Sequence, residues 1–217
     1  MAVSATTTPG HMPRSAWQRR GSMAQDAGLV VLSAIFFYFN VQHLVVAHSV
    51  TSVFFAAEQG VLVVVFLTRR RSTVTSKRLR DWFVATVGGW LTLVLLPSGG
   101  GYSIVVVAGV GVQMASLFLT TVGFLYLGRS FGIVAANRGV KVHGPYRLVR
   151  HPIYFAEFVT TIGFLMSNFT LFNLSVALVV GICQLARIQA EERVLSGSAE
   201  YRTYRSQVRW RLLPGLY

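Results

Sequence analysis

Charge is scarce in this chain, and acid is scarcest of all. Of 217 residues only 12% are charged, and Asp and Glu together number 7 against 20 Lys and Arg. Soluble domains carry about 25% charged residues, so the composition argues against a soluble protein of this length. Hydrophobic residues make up 53% and the mean hydropathy is +0.55, which also excludes a disordered chain. There is one cysteine, Cys183, inside an apolar run. It can close no internal disulfide, so a secreted disulfide scaffold is excluded. Alone it makes no metal site, and it reads as a small inert hydrophobe. Only Lys77 and Lys141 are lysine, so the other eighteen basic residues are arginine. With the richness in Ala, Val and Gly, that bias associates with a high-GC bacterial genome. No Walker loop, HExxH, GxSxG or CxxC is present. ATPase, metal and serine-hydrolase readings therefore have no support.

What the chain does have is long uncharged apolar runs, and a membrane helix needs about 20 such residues. Residues 1–26 are polar and carry Arg14, Arg19 and Arg20, which reads as a flexible basic cytoplasmic tail. The run 27–68 fits two spans turning near 48–52, with Glu58 as its only acid. It exceeds a signal-peptide core and no small-x-small cleavage pattern follows, so no signal peptide is expected. A basic loop at 69–81 precedes a third run at 82–97, an uncharged turn at 98–102 and a fourth run at 103–127. A polar loop at 128–151 follows, then runs at 152–167 and 170–187, and a charged tail at 188–217.

The net charge of +13 would suit nucleic acid if it formed one patch. Instead the basic residues fall between the apolar runs. With six spans, every Lys and Arg lies on one side of the membrane or at its edge. That pattern obeys the positive-inside rule and places both termini and the large loops in the cytoplasm. No nucleic-acid partner is expected. Tyr201, Tyr204, Val208 and Leu212 share one helical stripe, with Arg202, Arg205 and Arg209 beside it. This predicts an interfacial C-terminal helix with aromatic residues at headgroup level and snorkelling arginines. The expected fold is an all-α integral membrane protein of about six transmembrane helices. Three regions follow: the tail 1–26, N-terminal helices over 27–119 for packing and substrate, and a catalytic region over 120–217.

Polar groups suited to chemistry gather in two segments on the cytoplasmic side. The first runs from Arg138 through Lys141, Tyr146, Arg150 and His151 to Tyr154. Gly144-Pro145 forces a turn, and Pro152 opens a helix, since proline suits the first helical turn. Arg150 and His151 thus flank a helix N-terminus, whose free N–H groups and dipole attract a carboxylate or phosphate. Tyr146 and Tyr154 offer aromatic faces with hydroxyl tips, for a purine or a cation. The bland alternative is an interfacial anchor. In the second segment Arg187 and Glu191 are four apart and share a helix face, and Glu192 follows. They suit ribose hydroxyls or an amine, and the bland alternative is a salt bridge. Glu157 lies one and a half turns into the fifth span, where an ionisable side chain points to function. Asn40, Gln42, His43 and His48 fit helix–helix hydrogen bonding.

Taken together, Gly144-Pro145-Tyr146-x-x-x-Arg150-His151-Pro152-x-Tyr154, an apolar hairpin, Arg187-x-x-x-Glu191-Glu192-x-x-Leu195 and a Tyr-rich tail ending Leu213-Pro214-Gly215 resemble the isoprenylcysteine carboxyl methyltransferase family, which is related to the phospholipid N-methyltransferases. The resemblance covers about residues 120–217. It implies a membrane enzyme with S-adenosylmethionine at its cytoplasmic face and a lipophilic acceptor from the bilayer. Cofactor binding is then expected of Arg138, Gly139, Val140, Lys141, Tyr146, His151, Pro152, Ile153, Tyr154, Glu191 and Glu192. Arg187 would face the acceptor, and the catalytic set is Arg187, Glu157 and Arg150. Many members carry Gly two residues after the last Tyr of the first motif; here it is Ala156. Two rivals are an NADPH-dependent reductase of the sterol-reductase type and a non-catalytic scaffold or transporter. In the reductases an Asn precedes the Tyr, whereas here it is Ile153.

Overall fold

The computed structural model describes residues 27–216, apart from 29, 33, 36, 40, 43, 44, 46–49, 69, 71, 73, 97–102 and 133. The tail 1–26, the turn 98–102, Asn40, His43, His48 and the Glu58 side chain therefore lie outside the described residues. The chain is mostly helical. Described residues between 27 and 45 are helical, and α1 follows at Val50–Thr68. Next come α2 (Leu79–Trp90), α3 (Ile104–Leu127), α4 (Pro152–Ser167), α5 (Leu171–Leu195) and the short α6 (Ala199–Gln207). Two small strands, β1 (Val74–Thr75) and β2 (Ala136–Asn137), pair antiparallel and join the two polar loops.

Local chemistry marks the helix ends. Ser103 accepts from the Val106 N–H, Thr170 from Asn173 and Ser198 from Tyr201, so α3, α5 and α6 each begin on a hydroxyl cap. Pro152 opens α4, where a missing N–H costs nothing. Gly128, at φ 50°, ends α3 in the left-handed region. Two described helices are long and apolar enough to cross a membrane, Ile104–Ser130 and Leu171–Leu195. Phe118, Leu125, Leu178 and Ile182 project outward from them, as a lipid-facing surface requires.

Close packing of α3 on α4 comes from small residues. A Cβ on Gly163 would lie 2.8 Å from the Gly109 carbonyl oxygen and 2.9 Å from Gln113 Cγ. The backbones meet too closely for larger side chains, as at small-residue crossings in membranes. Polar threads reinforce the contact: Ser116 donates to the Ala156 carbonyl at 2.5 Å, and Thr160 to Ser116 at 2.9 Å. Ala156 is fully buried there. Gly163→Val is expected to push α4 off α3 and cost about 1–3 kcal/mol, as overpacking does. A thermal melt in detergent checks this, and an unchanged midpoint would deny the tight crossing. On the other side α2 packs on α5, with a Gly88 Cβ position only 2.9 Å from Cys183 Cβ. Asn173, fully buried, ties the segment after α2 to the α4–α5 turn through the carbonyls of Leu96 (2.8 Å) and Asn168 (2.7 Å).

α5 runs on past the apolar stretch to Leu195, so Arg187 and Glu191 sit on one helix as expected. Its charged end stays helical because the charges are paired, as in Arg193–Asp81 at 3.0 Å. One expectation from the sequence is corrected. The tyrosine stripe does not lie at the headgroups. α6 stops at Gln207, and Tyr201 and Tyr204 are only 2% and 4% exposed, turned into the protein. Tyr204 donates to the Tyr146 carbonyl at 2.7 Å, and Leu212 packs with Tyr154 and Ile188. The segment past α6 is a strap: the N–H groups of Arg150 and His151 donate to the carbonyls of Trp210 and Arg211, both at 2.9 Å.

Candidate active site

Both polar segments meet at one cleft, beyond the C-terminal end of α3 and the N-terminus of α4. Its walls are the loop from Leu127 to Lys141, Tyr146, the first turns of α4, the last turns of α5, and α6. The cleft opens to solvent and encloses a cavity of about 100 Å³. Arg138, Gly139, Val140, Lys141, Tyr146, Arg150, His151, Ile153, Tyr154, Glu157, Arg187 and Glu191 all line it. Residues more than 50 positions apart, Arg138 in the loop and Glu191 near the end of α5, thus face one space.

A chain of polar contacts crosses the cleft. Gln184 donates its amide N–H to Glu157 Oε2 and accepts from Arg187 through Oε1 at 2.7 Å. The Arg187 guanidinium lies over the Tyr154 ring, 5.1 Å from its centroid. The Tyr154 hydroxyl donates to Glu191 Oε1 at 2.5 Å. Glu191 Oε2 stands 3.9 Å from His151 Nδ1. Arg187 and Glu191 are therefore not the i,i+4 salt bridge of the bland reading, because Tyr154 stands between them.

Glu192 and Pro152 depart from the expected cofactor set. Neighbouring residues on a helix point about 100° apart, and here that rotation separates Glu191, which lines the cleft, from Glu192. Glu192 faces the other way, into a buried cluster. Arg150 bonds its Oε1 through both Nε and Nη2 at 2.8 Å, Arg211 bonds Oε2 at 2.9 Å, and His151 Nε2 lies 3.4 Å away. Pro152 is buried at the start of α4, where it shapes the helix end. Arg150, expected to be catalytic, lines the cleft with its donors already taken. Its Nη1 bonds the carbonyls of Val208 and Arg209 at 2.8 Å each. It fastens the strap, so its place is a positioning one.

Two cleft residues, Tyr201 and Tyr204, and one that braces the cleft from behind, Gln184, escaped the sequence reading. Gln184 sits three before Arg187 on the same helix face, so its spacing was a usable signal. Tyr201 and Tyr204 gave no such signal, since a tyrosine–arginine pattern fits a headgroup anchor equally well. Burial pushes the Tyr146 phenol well above its ordinary range, and the nearby Glu191 carboxylate adds to this. Tyr201 and Tyr204 are raised by burial as well. All three phenols are neutral hydrogen-bonding groups at physiological pH.

The residues can be tested against the donor that the family resemblance implies. S-adenosylmethionine presents a carboxylate, an ammonium, a ribose diol and an adenine. Arg187 Nε and the Tyr201 hydroxyl are buried and have no hydrogen-bond partner among the described residues. Buried polar groups are normally satisfied, so both await a partner from the cleft. Lys141 offers a cation, Glu191 an anion, and Tyr146 and Tyr154 flat faces. The set fits.

Fold and site together define a helical membrane protein with a polar, small-molecule cleft at the end of its helices. Residues 100–199 match the model of the family described as phospholipid methyltransferase. The match spans a little under half of the chain and agrees with the resemblance read from the motifs. No curated protein matches the chain.

Proposed function

We infer that the protein is an S-adenosylmethionine-dependent methyltransferase acting on a lipophilic acceptor held in the bilayer, similar to the isoprenylcysteine carboxyl methyltransferases. The observation that carries this reading is the contact chain Glu157–Gln184–Arg187–Tyr154–Glu191, which runs from within the helices to the cleft. Cleft-lining residues run from Leu127 to Tyr204, which supports a catalytic region over 120–217 and leaves 27–119 for acceptor and packing. Arg129, Arg138, Lys141, Arg147 and Arg193 gather around this end of the helices. By the positive-inside rule it is the cytoplasmic end. We read the chain as a multi-pass protein of about six spans with cytoplasmic termini, in a bacterial plasma membrane.

Arg138 to Lys141, Tyr146, His151, Ile153, Tyr154 and Glu191 would hold the donor. When bound, it supplies a methyl group already activated on a sulfonium. The chain's task is then to orient the acceptor and exclude water, which supplies several kcal/mol. Arg187, fixed by Gln184 and stacked on Tyr154, orients an acceptor carboxylate by its fork of N–H groups. An amine or thiol must first lose a proton, and Glu157 accepts it at the carboxylate that Gln184 holds. Acceptors enter sideways from the lipid, between helices.

Methyl-tritiated S-adenosylmethionine, offered with lipid-phase acids, amines and thiols in turn, tests this reading. Label is expected in the organic extract with one acceptor class. A folded, donor-binding protein that labels none of them would contradict it.

A further inference from the structure

Arg187 and Glu191 line a second, smaller cavity besides the cleft. It lies between the start of α2 and the charged end of α5. Its floor is made of small side chains, Ala85, Ala135 and Ala190, all buried. Arg80, Asp81, Gln189 and Arg193 complete its polar lining. Arg80, on α2, lies outside the matched residues 100–199 and outside both sequence motifs.

The charges narrow what this cavity holds. Three arginines and two carboxylates line it, and both carboxylates are already engaged. Asp81 accepts from Ser76 at 2.5 Å and from Arg193 at 3.0 Å. Glu191 accepts from the Tyr154 hydroxyl through one oxygen, and its other oxygen stands 3.9 Å from His151, so both face cleft residues. Arg80 is different. It is exposed, and its guanidinium has no ion pair or hydrogen bond among the described residues. α2 starts beside it without a side-chain cap, so the positive end of the helix adds to its field. The surplus is positive, and the ligand it favours is an anion.

Size and position narrow it further. The cavity encloses about 30 Å³, against about 10–15 Å³ for one water. That admits the oxygens of a phosphate and excludes a nucleoside or an acyl chain. The planar fork of an arginine matches such oxygens. This end of the helices meets the headgroups of the cytoplasmic leaflet by the positive-inside rule, and basic pockets between membrane helices at that level take anionic headgroups. Phe83, one turn into α2 from Arg80, is 68% exposed and offers an acyl chain a surface.

We propose that this cavity is a phosphate-binding site, with Arg80 and Gln189 as its ligating side chains, and that it takes the headgroup phosphate of an anionic membrane lipid. It is separate from the donor cleft and stands whatever the methyl acceptor proves to be.

Full-length protein in neutral detergent is titrated with three probes, and bound probe is counted by native mass spectrometry. The probes are phosphatidylglycerol, diacylglycerol with the same chains, and glycerol 3-phosphate. Phosphatidylglycerol is expected to fill one tight site. Arg80→Gln is expected to weaken it about tenfold, the worth of one charge-assisted hydrogen bond, and to leave the ligand-free melting temperature unchanged. Arg205→Gln removes an exposed arginine of α6 that lines neither cavity, and is expected to leave the affinity unchanged. Diacylglycerol is expected to show no dependence on Arg80. Glycerol 3-phosphate that binds as tightly as the lipid, with the same loss in Arg80→Gln, would support the site and make its source a soluble phosphate ester. Equal weakening in Arg80→Gln and Arg205→Gln would overturn the proposal, since a diffuse basic surface would then account for the binding. Diacylglycerol binding as tightly as phosphatidylglycerol would overturn it too, as would failure of both phosphate probes to bind.

Discussion

Arg187→Ala is expected to lower methyl transfer by roughly 10²–10³-fold, the cost of removing one preorganised donor at a reacting centre. Its effect on affinity for the donor product, S-adenosylhomocysteine, is expected to be much smaller. The reasoning is geometric. Arg187 is held by Gln184 Oε1 at 2.7 Å and by the Tyr154 face, and its Nε has no hydrogen-bond partner among the described residues. It is an immobilised cation with an open donor, suited to a carboxylate that arrives from the lipid. Glu191→Ala is expected to do the reverse. Glu191 faces the cleft and takes the Tyr154 hydroxyl, so its loss removes the anion for the donor's ammonium and frees Tyr154. Titration and turnover measured on both variants separate the roles. Equal losses of binding and turnover in both would refute this division.

Glu192→Ala is expected to destabilise the protein by about 3–5 kcal/mol, as removal of one partner from a buried ion pair does. The Glu192 and Arg150 side chains are 7% and 5% exposed, so water cannot replace the lost bonds. Three cationic or protonatable groups, Arg150, His151 and Arg211, converge on this carboxylate. Without it, Arg150 keeps only the carbonyls of Val208 and Arg209, and the strap loses its anchor. Thermal unfolding and protease sensitivity after residue 207 report the effect. The contrast with Glu191 is informative, since the two are adjacent in sequence. Glu191→Ala is expected to leave the melting temperature nearly unchanged, and a large fall there would mean that the two glutamates share one structural task.

Much of this arrangement was legible in the residues. The Pro152 helix start, the Gly144 turn and the apolar runs at 103–127 and 152–167 match α3 and α4 closely, because each boundary carries its own local chemistry. Twelve-residue α2 was harder. It begins at Leu79, before the apolar run at 82, since Asp81 is buried against Ser76 and Arg193. A hydropathy reading ends a helix at its first charge and cannot see the partner that keeps it helical. Glu191 and Glu192 looked equivalent because helix rotation separates them only once the position of α4 is known. Tyr201 and Tyr204 were assigned to the headgroups because an amphipathic stripe does not say whether lipid or protein covers it.

One binding measurement tests the donor site most directly. Detergent-purified wild-type protein is titrated with S-adenosylhomocysteine in a calorimeter. Saturable binding at one site is expected, retained in Arg187→Ala and lost or greatly weakened in Glu191→Ala. A wild-type protein that is folded by circular dichroism and yet shows no binding would contradict it.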